Sequence, residues 1–155
     1  MIEGLDLAQD ARQELISFYV AERAFGLEIG QVREIRGWTP TTRLPHTPVY
    51  VKGVINLRGT ILPIIDLAAR LGLPPITPTA RHVVMVVQQG SRVLGLLVDA
   101  VSDIICVPQA EIQAPPDLAQ TEVRHFVTGL FPLGDQMVSL ISLAHILPGS
   151  EAQAA

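Results

Sequence analysis

The chain has 155 residues, a formal net charge of −4 at pH 7 and 48% hydrophobic residues. Its few basic residues are scattered, which excludes a function based on nucleic acid, because such binding requires basic groups that neutralise phosphates. The apolar runs are four to eight residues long, whereas a membrane-spanning helix needs about 20. Since the N-terminus also lacks a signal-peptide pattern, we expect a cytoplasmic protein without direct membrane insertion.

The first half of the chain predicts short strands followed by one helix. Its apolar runs are rich in β-branched residues and are bounded by turn residues, which favours strands. Asp66 precedes an apolar segment that has Arg70 near its end and Gly72 after it, as in a short capped helix. The strand-like segments lie at 15–20, 51–57 and 61–65, and the segment 25–35 recurs in the second half at 94–104.

The second half shows the same order after a proline-rich connector at 74–80. Strand-like runs at 83–87 and 93–98 flank Gly90-Ser91, which predicts a hairpin turn, and Gly134-Asp135 predicts another. Ser142 precedes a second short apolar segment that resembles the first helix.

The two halves are copies of one plan. Gly26 corresponds to Gly95 at an offset of 69 residues, and Gly53 corresponds to Gly129 at an offset of 76. Two copies at this spacing indicate a duplicated small domain rather than a solenoid, which needs at least three units. About five strands in each half are enough to close a small barrel, so the sequence predicts an all-β fold with a short helix after each half.

Residues with catalytic or metal-binding chemistry are sparse. Four histidines (His46, His82, His125 and His145) are scattered without metal-ligand spacing, and no phosphate-binding or nucleophile motif is present. Asp99 and Asp103 could act together in acid–base chemistry, although solvated acids at a sheet edge are the simpler interpretation. We therefore expect no enzyme activity, no cofactor and no metal.

Arg58 differs between the copies, because Gly134 occupies the corresponding position. The shared apolar positions serve both cores, whereas an arginine at this turn has no packing role that glycine could share. Its planar guanidinium can bind a carboxylate or backbone carbonyls. Two interpretations remain open: Arg58 holds a neighbouring loop, for instance through Glu34, or it contacts a partner.

The segment 51–67, VKGVINLRGTILPIIDL, resembles the signature of the CheW family of bacterial chemotaxis coupling proteins. Further similar segments are QVREI at 31–35, TRLP at 42–45, LGLLVDAVSD at 94–103 and Gly129-Leu130. The resemblance covers nearly the whole chain and implies a single domain at 13–147, with a first barrel at 15–73, a linker at 74–80, a second barrel at 81–147 and a flexible tail at 148–155.

This resemblance implies two interlocked five-stranded SH3-like barrels and a non-catalytic adaptor. The adaptor would join the cytoplasmic hairpin tip of a chemoreceptor to the regulatory domain of the histidine kinase CheA, in membrane-associated arrays. It would be a monomer or self-associate weakly. The open alternatives are a chemosensory-like array that controls type IV pili or another output, and a small ligand-binding β-barrel.

The resemblance also assigns site residues. Those that would line or support the receptor groove are Val32, Glu34, Ile35, Arg58, Val98 and Val101. Gly53, Asn56 and Gly59 would contact a partner or allow a close approach of the backbone. One departure is Ala68, which stands where family members commonly carry arginine.

Overall fold

The computed structural model describes residues 11–115 and 125–147, which fold mainly into strands. The predicted all-β class is confirmed, and so is the short helix after each half. The strands are β1 (Arg12–Val20), β2 (Arg23–Glu28), β3 (Val32–Gly37), β4 (Val51–Leu57), β5 (Thr60–Asp66), β6 (Val83–Gln89), β7 (Arg92–Val98), β8 (Ala100–Pro108), β9 (Val127–Leu133) and β10 (Gln136–Ile141). The helices are α1 (Leu67–Arg70) and α2 (Leu143–Ile146). The predicted tail at 148–155 lies outside the described residues.

The strands form two five-stranded sheets that exchange elements between the halves. Sheet A has the order β8-β1-β2-β10-β9, and sheet B has the order β3-β6-β7-β5-β4. The repeat maps β1–β5 onto β6–β10, and this mapping converts sheet A into sheet B strand by strand. The predicted barrel ranges 15–73 and 81–147 therefore follow the repeat, whereas each sheet joins two strands from one range to three from the other.

Backbone hydrogen bonds join the two edges of each sheet, just after the chain leaves β3 or β8. After β3, the backbone of Thr42 exchanges two hydrogen bonds of 2.9 and 2.8 Å with Val54 of β4, which lies at the opposite edge of sheet B. After β8, Gln113 makes the same pair of bonds with Leu130 of β9, both 2.8 Å long. These bridges satisfy edge groups that would otherwise be unpaired, and they bring the two edges of each sheet together as in a small barrel.

Gly53 is required at the first of these bridges. A Cβ atom at this position would lie 2.4 Å from the carbonyl oxygen of Thr42, and the glycine has a φ of +139°. Residues that carry a side chain rarely adopt this backbone conformation. The Thr42 carbonyl is part of the backbone, so it cannot rotate away from an added Cβ. The close approach at Gly53 is therefore between two segments of the same chain, at Gly53 and at Thr42.

A buried apolar layer lies between the two sheets. Phe18, Phe25, Met85 and Leu96 belong to this main cluster and are at most 2% exposed. The interior of sheet A is a separate cluster that includes Leu15 and packs on the opposite side of β1. Because alternate residues of a strand face opposite sides, β1 contributes to both cores.

The first helix is anchored by a buried carboxylate. Asp66 is 0% exposed, and its Oδ1 accepts a hydrogen bond of 3.2 Å from the Ala69 N–H, which caps α1 as predicted. Its Oδ2 accepts a bond of 2.8 Å from the Ile76 N–H and lies 3.7 Å from Lys52 Nζ. These partners compensate for the burial of the charge, and they fix the connector beside α1.

Candidate partner-binding site

Four of the predicted site residues are apolar, and three of them (Val32, Val98 and Val101) belong to the layer between the sheets or pack against it. Val98 is fully buried there, while Val32 and Val101 pack against the layer and remain partly exposed. Ile35 is 45% exposed and lies on β3, one of the two outer strands of sheet B. The apolar layer thus continues to the surface at this outer strand, and Val98 supports it from within.

A bulge in β3 puts Val32 and Ile35 on the same face. Val32 lies opposite Val87 and Ile35 lies opposite Met85, so three residue steps on β3 match two on β6. Residues three apart in a regular strand face opposite sides, and the extra residue of the bulge removes this difference. Both side chains therefore belong to the face that packs towards sheet A.

The remaining two groove candidates, Glu34 and Arg58, lie elsewhere. Glu34 pairs with Val86, which belongs to a small core of sheet B that is separate from the main cluster. Its carboxylate accepts a hydrogen bond from the guanidinium of Arg58, which stands on the β4–β5 turn. The structure therefore brings Glu34 and Arg58 together, but on the opposite face of β3 from Val32 and Ile35.

The ion pair changes the titration of both groups. The hydrogen bond from Arg58 is the main cause that lowers the pKa of Glu34; desolvation opposes it, and Arg36 Nη1, 3.4 Å from Oε2, adds a smaller effect in the same direction. The same contact raises the pKa of Arg58. Glu34 is therefore ionised at neutral pH and holds the guanidinium at the rim of the site.

The turn that carries Arg58 is a tight two-residue loop between Leu57 and Thr60. Arg58 and Gly59 both have positive φ angles, 51° and 87°, as in the hairpin turns that match the twist of the strands. The Gly59 N–H donates a hydrogen bond of 2.9 Å to Asn56 Oδ1. Asn56 and Gly59 thus shape the loop that presents Arg58, whose side chain is 68% exposed.

Beneath this ion pair lies a cleft of about 510 Å³. Leu57, Leu62 and Val86 form its apolar floor, and Glu34 and Arg58 stand at its rim. Such a cleft can accept an apolar side chain of another protein, and the rim can bind polar groups beside it.

Comparison with known proteins identifies the family. A family model described as the CheW-like domain matches residues 14–151. The chain belongs to the CheW-like domain family. It is 51% identical over 143 residues to the chemotaxis protein CheW of Rhizobium meliloti, and the match covers 92% of each chain. It is 35% identical over 134 residues to protein PilI of Pseudomonas aeruginosa, covering 83% of this chain and 73% of PilI.

A solved structure of a CheW protein shares this architecture. The crystal structure of the scaffolding protein TtCheW from Thermoanaerobacter tengcongensis matches with a TM-score of 0.81 and 31% sequence identity, over 89% of this chain and 94% of TtCheW. This likeness supports the interlocked sheets seen here, because the structural match covers nearly the whole of both chains.

Ala68, noted above as a departure from the family pattern, is 1% exposed and packs in the main core. Arg70, two residues later, donates hydrogen bonds to the carbonyls of Ile146 (2.7 Å) and His145 (3.0 Å) on α2. Its guanidinium also stacks 4.6 Å from the centre of the Tyr50 ring. The arginine of this helix thus joins the two halves of the CheW fold.

The carboxylate of Asp99 and the backbone of Asp103 make structural contacts. Asp99 Oδ2 accepts a hydrogen bond of 2.7 Å from the Ala21 N–H, and Oδ1 lies 3.3 Å from His82 Nε2. The backbone of Asp103 bonds to the Ser17 hydroxyl. Within residues 11–115 and 125–147, no group of three or more His, Cys, Asp or Glu side chains could hold a metal ion, and no helix is long and apolar enough to cross a membrane.

Proposed function

We propose that this protein is a non-catalytic adaptor that couples chemoreceptors to the histidine kinase CheA in cytoplasmic arrays beneath the membrane. The observation that carries the proposal is the family match over residues 14–151. Binding to two partners, rather than chemistry on a substrate, is the role for which the exposed apolar and charged residues of the site are suited.

The receptor is proposed to dock where the layer between the sheets reaches the surface. Its cytoplasmic tip is a helical hairpin, and an amphipathic helix binds a groove through apolar side chains on one face. Val32, Ile35 and Val101 offer such a surface, with Val98 behind them. Complete burial of an isoleucine contributes about 1.5–3 kcal/mol, so a few such contacts suffice for reversible binding.

The ion pair of Glu34 and Arg58 is proposed to orient a partner at the neighbouring cleft. Because Glu34 fixes the guanidinium while most of the arginine side chain stays exposed, Arg58 can still donate to an acceptor of the receptor or the kinase. We place the end-on contact of the CheA regulatory domain at the barrel ends, with Gly53, Asn56 and Gly59 maintaining the shape of the first barrel there.

Reconstitution tests the adaptor role. Membrane vesicles containing a chemoreceptor are mixed with CheA and with this protein, and sedimentation and kinase autophosphorylation are measured. We expect the protein to sediment with the vesicles and to raise autophosphorylation above that of vesicles with CheA alone. If the protein binds neither the receptor vesicles nor CheA, the proposal is wrong.

Arg58→Ala is predicted to weaken this coupling without unfolding the protein. The variant removes an exposed guanidinium and leaves the turn conformation available, so kinase stimulation should fall about threefold to tenfold, as expected for loss of one interface arginine. Arg81→Ala is the matched control, because Arg81 is also exposed but does not line the cleft. An unfolded Arg58→Ala variant would show instead that the ion pair is structural.

The similarity to protein PilI is compatible with a second output of the same adaptor. A chemosensory-like array that controls type IV pili would use the same two contacts and a different downstream response. Deletion of the gene separates the outcomes: loss of directed swimming supports the chemotaxis role, whereas loss of surface motility by pili supports the alternative.

A further inference from the structure

Asp99 forms by itself the corner at which the chain passes from one sheet to the other. Val98 ends β7 in sheet B, and Ala100 begins β8 in sheet A. Val98 is buried in the layer between the sheets, and Val101 packs against that layer. The conformation of the corner therefore determines how these two valines lie relative to each other.

Three contacts hold Asp99 in place. Its N–H donates a hydrogen bond of 3.0 Å to the carbonyl of Tyr19 on β1. Its Oδ2 accepts a bond of 2.7 Å from the Ala21 N–H, and its Oδ1 lies 3.3 Å from His82 Nε2. Because His82 Nδ1 accepts the Thr79 N–H at 3.0 Å, a neutral ring carries its proton on Nε2, the atom nearest the carboxylate. The carboxylate thus joins the β1–β2 turn to the residue that precedes β6.

The turn that bonds to Asp99 lacks glycine. Ala21 and Glu22 connect β1 to β2 in a tight two-residue turn, with φ angles of 52° and 64°. Each of the other three two-residue turns between the described strands contains a glycine, at Gly59, Gly90 or Gly134. Residues with a Cβ atom are disfavoured in this left-handed conformation. The short, charge-assisted bond from Ala21 to Asp99 compensates for this cost.

The internal repeat shows the reverse combination in the second half. The offset of 69 residues matches Ala21 with Gly90, and it matches Gly30 with Asp99. Where the turn contains Gly90, a carboxylate acceptor is not needed; where the turn lacks glycine, the acidic residue stands at the corner. Glycine in the turn and a carboxylate at the corner are therefore two ways of stabilising the same kind of hairpin.

We infer that Asp99 is a positioning residue for receptor binding, because its carboxylate fixes the corner that holds Val98 and Val101. This inference rests on the proposed function. The two valines belong to strands of different sheets, or lie beside them, so a corner that could change its conformation would alter the spacing of the apolar surfaces on which a receptor helix packs. Binding surfaces depend on such supporting residues for their geometry. Asp99 itself need not touch the receptor.

A pair of substitutions tests the role of the turn. Asp99→Ala should weaken sedimentation with chemoreceptor vesicles about fivefold or more, although it removes no receptor contact. Adding Ala21→Gly to the same chain should restore binding to within about twofold of the wild type, because glycine adopts the turn without support from a carboxylate. Asp103→Ala is the matched control. It removes the same charge from the same strand, where the carboxylate lies 3.5 Å from the Ser102 hydroxyl, and it should bind within about twofold.

The outcomes separate this inference from the proposed function. If the wild-type chain does not bind receptor vesicles, the adaptor proposal itself fails. If the wild type and Asp99→Ala bind equally well, only the positioning role is overturned, and a loss that Ala21→Gly does not restore also rejects it. Binding to the CheA regulatory domain should be unchanged in every variant; equal losses for both partners would contradict a role specific to the receptor.

A milder variant covers the case in which Asp99→Ala is unfolded by the criterion of urea denaturation. Asp99→Asn has one acceptor oxygen, which can serve Ala21 or His82 but not both. It should bind receptor vesicles more weakly than the wild type, and Ala21→Gly should restore this loss too. Binding of Asp99→Asn equal to that of the wild type would overturn the inference.

Discussion

The Arg58 guanidinium bonds to Glu34 across the rim of the cleft, yet 68% of its side chain is exposed. Exposed ion pairs contribute little to folding because solvent screens them, so the pair does little for stability. Its effect is to restrict the orientation of a long side chain, and a preoriented arginine loses less conformational entropy on binding. The two interpretations of Arg58, loop contact and partner contact, are thus compatible in one residue.

The titration of Glu34 tests this pairing. Since Arg58 lowers the pKa of Glu34, the contribution of the pair is present above the ordinary pKa and is lost only as the pH falls through the lowered value. We expect a titration midpoint below 4.5 by carboxyl NMR in the wild type, and a higher midpoint in Arg58→Ala. Arg33→Ala should leave the midpoint unchanged; identical midpoints in wild type and Arg58→Ala would contradict the pair.

At the scale of strands, bulges determine which side chains reach the groove. Each outer strand carries one extra residue, at equivalent positions of the repeat. This irregularity lets Val32 share a face with Ile35, and Val101 share a face with Ile104, although each pair is three residues apart. With regular alternation, the two members of each pair would face opposite sides of the sheet, and only one of them could face the groove.

Closure of sheet B gives a prediction for Gly53. Gly53→Ala should destabilise the fold by about 2 kcal/mol or more, because the new Cβ meets a backbone carbonyl and the φ angle is unfavourable. Gly37→Ala is the control, since no atom lies within 4 Å of its added Cβ. Urea unfolding measures both variants, and equal stability of Gly53→Ala and wild type would disprove the close approach.

At the scale of the molecule, exchange of strands makes the two halves dependent on each other. Sheet A needs β8, β9 and β10 from the second half, and sheet B needs β3, β4 and β5 from the first. Arg70 adds a further link from α1 to the carbonyls of α2. Neither half can therefore bury its apolar faces alone, even though each carries the full repeat.

Fragments test this interdependence. Separate chains covering 11–73 and 81–147 should each lack a cooperative unfolding transition and dispersed amide NMR signals, because the layer between the sheets is missing. The intact chain, measured under the same conditions, is the control and should unfold cooperatively. A dispersed NMR spectrum from 11–73 alone would show that the first half folds independently.

Short-range features of this protein were predictable from its sequence. The β-branched runs predicted the strands, Gly90-Ser91 and Gly134-Asp135 predicted two hairpin turns, and Asp66 predicted the cap of α1, all of which the structure shows. These features depend on residues close in sequence, so local propensity and turn chemistry suffice to indicate them. The repeat and the family motif followed from the sequence as well.

The arrangement of the site depended on contacts between distant residues. The sequence alone determined the strands, the duplication and the family resemblance. Only the tertiary structure decided that Glu34 and Ile35 face opposite sides of β3, that Val98 is buried, and that the halves exchange strands. The physical reason is register: one extra residue in a strand reverses the face of every side chain beyond it, and its effect depends on the strand paired alongside.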